Sequence, residues 1–108
     1  GAMREARIME EIDAVNEVLR RLSAFSGDIS YGPDEVEDDA KAGAVELLLV
    51  CGGLLREADE GLRARLEEII KAVEGKGGGV LIVSDEHEGG KALSSLGGLA
   101  ALLRYRRH

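Results

Sequence analysis

The chain has 108 residues, 44% of them hydrophobic, and its 14 basic and 21 acidic side chains leave a net charge of −7. That length gives one domain with a real core, and that apolar content excludes a disordered chain. The negative balance argues against a general nucleic-acid binder, because phosphate neutralisation supplies most non-specific affinity.

Phe25, Tyr31 and Tyr105 are the only aromatic residues, so the core must be aliphatic. The single cysteine, Cys51, excludes an internal disulfide and fits a reducing, cytoplasmic setting. Neither a signal peptide nor an apolar run long enough to span a bilayer is expected, so no membrane partner is either. Gly1-Ala2-Met3 has the form of a scar left by a removed expression tag. That sets the domain at residues 4–108 and implies that it was cut from a longer protein.

From Arg4 to about Phe25 the apolar residues Ile8, Ile12, Val15, Leu19 and Leu22 follow steps of four and three. They predict one helical stripe, widened by Met9, Val18 and Phe25. Three turns of pattern do not separate a coiled-coil seam from a helix lying on a sheet, and the second is the plainer reading. Ser26-Gly27-Asp28 is expected to end that helix, with glycine just past its C-cap. Ile29-Ser30-Tyr31 then reads as a short edge strand broken by Gly32-Pro33. Pro33 is well placed to open a helix, and the acidic run Asp34, Glu35, Glu37, Asp38 and Asp39 suits its first turns, where the helix dipole favours negative charge. Gly43 stops it.

Ala44 to Cys51 is predicted as a buried strand ended by Gly52-Gly53, and Leu54-Leu55-Arg56 as a loop or a single helical turn. A helix from about Glu60 to Glu74 turns Leu62, Leu66, Ile69, Ile70 and Val73 inward. Gly75 to Gly79 then leads into Val80-Leu81-Ile82-Val83. After the polar loop Ser84-Asp85-Glu86-His87-Glu88 come a short helix, Gly97-Gly98, and Leu99-Ala100-Ala101-Leu102-Leu103-Arg104-Tyr105. Both last apolar runs lack alternation, as strands buried on two faces do. Strands separated by helices imply a mostly parallel α/β sheet, but the last connection is too short for a full crossover helix. The last strand can therefore run antiparallel.

The glycine clusters do not make a phosphate loop. Gly90-Lys91 is followed by Ala92 where magnesium binding needs Ser or Thr, and Gly75-Lys76-Gly77 precedes a strand where a dinucleotide motif opens a helix. Asp85-Glu86-His87-Glu88 is the densest polar cluster and follows a buried strand, where open α/β sheets often place ligands. It offers one imidazole, too few for a zinc site, and an aliphatic domain this small is not expected to supply a pocket for acid–base work. A solvated loop facing a partner is the preferred reading. Cys51 has no base at a recognisable spacing and reads as a small residue closing a strand. No catalytic residue, metal or cofactor is expected.

Tyr31-Gly32-Pro33-Asp34-Glu35-Val36, Gly43 to Val50, Leu54-Leu55-Arg56, Ile82 to Gly90 and Gly97 to Tyr105 together resemble the C-terminal domain of the Pelota family. Glu86-His87-Glu88 is more similar to archaeal Pelota than to the class-1 peptide chain release factors, which usually carry Thr in that loop. Cys51-Gly52 departs from relatives that have Ser followed by an acidic residue. The resemblance implies a three-layer α-β-α sandwich with a small mixed sheet, shared with the kink-turn-binding ribosomal proteins, and with the last strand inserted centrally.

It also implies a non-enzymatic docking domain of a ribosome-rescue factor. The partners implied are a translational GTPase of the elongation factor 1 alpha type and the ribosome-recycling ABC-type ATPase, with the ribosome met through the full-length protein. Carried over from the release-factor branch, the GTPase contact falls on Ala101, Leu102, Leu103, Arg104 and Tyr105; the loop Asp85, Glu86, His87 and Glu88 is the second candidate surface. Arg104 is expected to be removable without harm to the fold, and Arg106, Arg107 and His108 extend its basic end. The kink-turn proteins grip RNA with an Asn-Glu pair and a Lys three residues after the Glu. Here Asp34-Glu35 and Asp38 stand at those positions, so no direct RNA binding is expected. A release-factor domain, a structured-RNA binder and a small enzyme built on residues 85–88 are the alternatives.

Overall fold

The computed structural model describes residues 2–105, with side chains from residue 7 onward. In chain order the elements are α1 (Ala2–Ser23), β1 (Ile29–Tyr31), α2 (Pro33–Lys41), β2 (Val45–Cys51), α3 (Gly52–Glu57), α4 (Glu60–Gly75), β3 (Gly79–Val83), α5 (Glu88–Ser95) and β4 (Leu99–Leu103). Ala2 and Met3 already belong to the backbone of α1. The Leu54 turn is a six-residue helix that begins at Gly52, directly after the strand.

The strands form one sheet in the order β1-β4-β2-β3. β4 runs antiparallel to β1 and to β2, and only β2 and β3 are parallel. The mostly parallel sheet of the pattern reading gives way to the small mixed sheet, last strand at its centre, that the resemblance implied. The short α5 connection returns the chain inverted and drops β4 between two strands made much earlier.

Helices cover both faces. On one face α2 and α4 bring Val36, Ala40, Leu66, Ile69 and Val73 against Val45, Leu48, Val50, Leu99, Ala101 and Leu103. On the other, α1 and α5 bring Val15, Val18 and Leu93 against Leu49, Cys51, Val83, Ala100 and Leu102. Successive residues of β4 therefore feed alternate cores, which explains a run with no polar position. β2 does the same, with one irregularity. Val45 pairs with Leu103 and Leu47 with Leu102, so Glu46 is the extra residue of a bulge and points to solvent.

β3 differs from expectation. Among the described residues it pairs only with β2, and although Val83 is buried, Ile82 is 36% exposed. It is an edge strand, whereas the sequence reading buried it on both faces.

On α1 the stripe holds in its centre. Val15 and Val18 are buried, Ile12 and Leu19 are half-buried, and Met9 lies outside it at 56% exposed. The helix lies on the sheet and does not offer a free seam. A charged residue, Glu11, shares the buried stripe at 4% exposed.

The helix also ends differently from the reading. The Ser26 N–H donates to the Arg21 carbonyl and the Phe25 N–H to the Leu22 carbonyl, the paired bonds of a Schellman cap. The left-handed residue of that cap is Phe25, with φ 52°, not Gly27.

Candidate docking surfaces

The first surface is built around the loop after β3. Its centre is Glu11, whose Oε1 accepts from the Ser84 N–H at 2.8 Å and faces His87 Nε2 at 2.9 Å. The other ring nitrogen, Nδ1, accepts from the Gly90 N–H at 3.3 Å and so caps α5. A ring whose Nδ1 accepts carries its proton on Nε2, aimed at the carboxylate. Burial of Glu11 pushes its pKa up, but the Ser84 N–H, the His87 bond and the charge of Arg7 outweigh that and hold it below the usual value.

This clamp ties α1 to a loop 76 positions away, and it revises the picture of a solvated loop. The His87 side chain is only 15% exposed and its partner 5%. Asp85 pairs with Arg56 at 2.7 Å, and the hydrogen bond from that guanidinium lowers its pKa. Glu86 and Glu88 are exposed and remain candidates for direct contact.

Beside the clamp lies an open cleft of ≈ 620 Å³, lined by Arg7, Ile8, Glu11, Arg56, Ile82 and His87 among others. The expectation that so small a domain lacks a pocket here is corrected. The cleft arises because β3 is the sheet edge and α1 only partly covers it. Among the described residues no group of three or more His, Cys, Asp or Glu side chains is arranged to hold a metal ion.

One glycine shapes this loop. A Cβ on Gly90 would lie 1.9 Å from the Ser84 carbonyl oxygen, so only glycine lets α5 start so close to the end of β3. Cys51 is buried and free, with Sγ 3.8 Å from the Gly90 carbonyl oxygen, which fits the reading of a small residue closing a strand.

The second surface is the end of β4. Ala101, Leu102 and Leu103 are 0%, 5% and 2% exposed and face the two cores, so they hold the strand in place and are not themselves accessible. Arg104 and Tyr105 are exposed. The Arg104 guanidinium donates to the carbonyls of Lys76 at 2.9 Å and Val45 at 3.3 Å, joining the end of α4 to the start of β2. Its removal therefore touches the fold, contrary to the sequence reading. Tyr105 is 54% exposed. Arg106, Arg107 and His108 lie outside the described residues.

Arg21 binds this end together. Its Nη1 donates to the carbonyls of Asp28 at 3.1 Å and Leu103 at 3.3 Å, and its Nε donates to Glu17 at 2.7 Å. Hydrogen bonds from Arg20 and Arg21 lower the Glu17 pKa to about 2.

The α2 face carries Asp34, Glu35 and Asp38, which the sequence reading set against an RNA grip. Asp34 bonds Arg65 at 2.6 Å yet is 93% exposed, and Glu35 and Asp38 are also exposed. Asp39, read with the acidic run, is instead buried at 5%. The surface is acidic, with Arg65 serving Asp34 and Glu37 at once.

Comparison with known proteins agrees across the chain. It is 46% identical over 102 residues to a Pelota homolog from Thermococcus onnurineus, covering 94% of this chain and 28% of that protein. The structure of Dom34 from S. cerevisiae, a translation termination-like factor involved in RNA quality control pathways and interacting with Hbs1, superposes with a TM-score of 0.85. It is 31% identical, with 91% of this chain and 28% of that one covered. A ribosome-bound archaeal Pelota with ABCE1 gives 0.81 at 46% identity, covering 97% of this chain and 29% of that one. The chain thus spans somewhat over a quarter of the length of these relatives. Among the described residues no helix is long and apolar enough to cross a membrane. Residues 8–107 match the model of eRF1 domain 3, and the chain belongs to that family, on the side where the Pelota proteins stand.

Proposed function

We propose that this chain is a non-enzymatic docking domain of a cytoplasmic ribosome-rescue factor. Its partners are a translational GTPase of the elongation factor 1 alpha type and the ribosome-recycling ABC-type ATPase. One observation carries the reading: 97% of the chain aligns, at 46% identity, with a Pelota bound to the ribosome together with ABCE1. Dom34, which interacts with Hbs1, supports the GTPase side. The exposed Arg104 and Tyr105 are the contacts proposed for the GTPase, and the exposed Glu86 and Glu88 those for a second partner. Asp85 and His87 act on that second surface by shaping it, since both are engaged within the domain.

The domain makes no RNA grip of the kink-turn kind, because Asp34, Glu35 and Asp38 present carboxylates where phosphates would have to approach. Titration calorimetry of the domain against the purified GTPase and the purified ATPase tests the reading. Binding to at least one is expected, and Tyr105→Ala should weaken the GTPase complex by about 2 kcal/mol. An absence of binding to both, with a folded domain confirmed by its melt, ends the proposal. A gel shift with a kink-turn RNA should show no complex at physiological salt.

A further inference from the structure

The two edges of the sheet are kept very differently. β1, at one side, is three residues long and is stopped by Gly32-Pro33. A short edge strand with a proline behind it offers little to pair with. β3, at the other side, runs five residues, Gly79–Val83, with no charge, no proline and no bulge against β2. Beyond its ladder to β2, the backbone of β3 makes no hydrogen bond among the described residues, and the first one past it is the Ser84 N–H to Glu11. The outer N–H and C=O groups of β3 therefore stand as an open template for another strand.

The space beside that template is shaped to receive one. Val80 packs on the core under α2 and α4, whereas Leu81 and Val83 belong to the core under α1 and α5. Alternation along the strand therefore puts Ile82 on the face away from α1. Yet the cleft of ≈ 620 Å³ is lined by Ile82 together with Arg7, Ile8 and Glu11 of α1, and by Arg56 of α3. It wraps round the sheet edge and touches both faces, which is where a fifth strand of this sheet would lie. Ile82, only partly covered, gives an incoming side chain an apolar contact there.

We propose that the outer edge of β3 takes an extended, uncharged segment of a partner protein as a fifth strand, with one apolar side chain of that segment set against Ile82. Main-chain groups repeating at strand spacing select a polypeptide over other ligands. The charge of the segment follows from the walls of the cleft. Arg56 is held by Asp85 at 2.7 Å and Arg7 lies 3.6 Å from Glu11, so neither guanidinium lacks a carboxylate. An acidic segment would meet the exposed Glu86, and a basic one the outer faces of the two arginines. A second copy of this chain is the poorer occupant. Two five-residue strands paired edge to edge fall well short of the roughly 1,200 Å² that stable interfaces bury, and each copy brings a net charge of −7. The inference stands apart from the contacts proposed at Arg104 and Tyr105.

The test pans a displayed library of short random peptides against this chain and titrates the enriched peptides into it, with amide exchange followed residue by residue. Enriched peptides are expected to be uncharged and rich in β-branched residues. They should slow exchange at the outward amides of residues 79–83 and bind Ile82→Lys about tenfold more weakly or worse. Ile82 is already partly exposed, so that variant should melt close to the parent temperature. Exchange in the parent chain decides the matter even if the variant does not fold. Failure to enrich any peptide, or slowed exchange that leaves residues 79–83 untouched, overturns the inference and leaves the docking reading standing. Enrichment of charged peptides at this edge overturns the chemistry assigned to the segment. A concentration-dependent dimer in light scattering, lost in Ile82→Lys, overturns the choice of occupant.

Discussion

β3 and β4 look alike in sequence and meet opposite fates. Each is five residues long, and the runs Val80–Val83 and Leu99–Leu103 carry no polar position. Yet every residue of β4 is buried between two neighbours, while β3 has one neighbour and leaves Ile82 in contact with the cleft. An apolar run predicts a strand covered by helices on both faces, and only β4 satisfies that in full. It does not say how many strands lie beside it. That is decided by connection length, which made β4 turn back into the middle.

The comparison breaks most sharply at Leu99, which has no exposed surface and feeds the core under α2 and α4. Leu99→Ala should cost about 2–5 kcal/mol in a denaturant melt. If β4 were as peripheral as β3, the loss would be far smaller.

Gly90→Ala probes the junction where β3 hands over to α5. The added methyl meets the Ser84 carbonyl, which is backbone and has little room to move. A cost of about 1–3 kcal/mol is expected, read as a lower melting temperature.

The clamp on the β3 side sharpens the contrast through pH. Glu11 has a folded pKa below its ordinary value of 4.5, so it binds protons less readily when folded than when unfolded. Its contribution is fully present above the unfolded value and is lost as pH falls through the folded one. Glu11→Gln should flatten the acid limb of a stability–pH curve. It should also loosen α1 from residues 84–87, seen as faster amide exchange at Ser84. β4 contains no titratable group, so exchange in its amides should respond to pH only through global unfolding.

Ile82→Ala is the mildest case. A side chain already 36% exposed on an edge has less to lose, and about 1 kcal/mol is expected. A loss equal to that of Leu99→Ala would show that the edge is covered in solution.

Much of this was legible in the residues. Helix periodicity located α1 and α4, Pro33 and the acidic run located α2, and the apolar runs marked β2, β3 and β4. What escaped was long-range or stereochemical. Nothing local links Glu11 to His87, although a carboxylate at the third position after Ile8, inside an apolar stripe, was a signal that it needed a buried partner. The C-cap was misread because glycine at position 27 offered the usual left-handed residue, while the bonds from Ser26 and Phe25 close the cap two residues earlier. The docking role proposed for Arg104 and Tyr105 comes from resemblance, since pattern alone showed only a basic chain end. That Arg104 reaches the carbonyls of Val45 and Lys76 required the packing of β2 against α4.

The central place of β4 has a consequence for how such a chain comes into being. β1 joins the sheet only through β4, and β2 has β4 on one side. Until residues 99–103 exist, residues 29–31 have no partner strand, and both apolar faces of β2 have a gap beside them. A nascent chain can form its helices and the parallel β2–β3 pair as it is made, but it cannot close its core piece by piece. Assembly waits for the last strand to slide between two that are already there. The fold is therefore completed in one late, cooperative step, with β4 as the keystone.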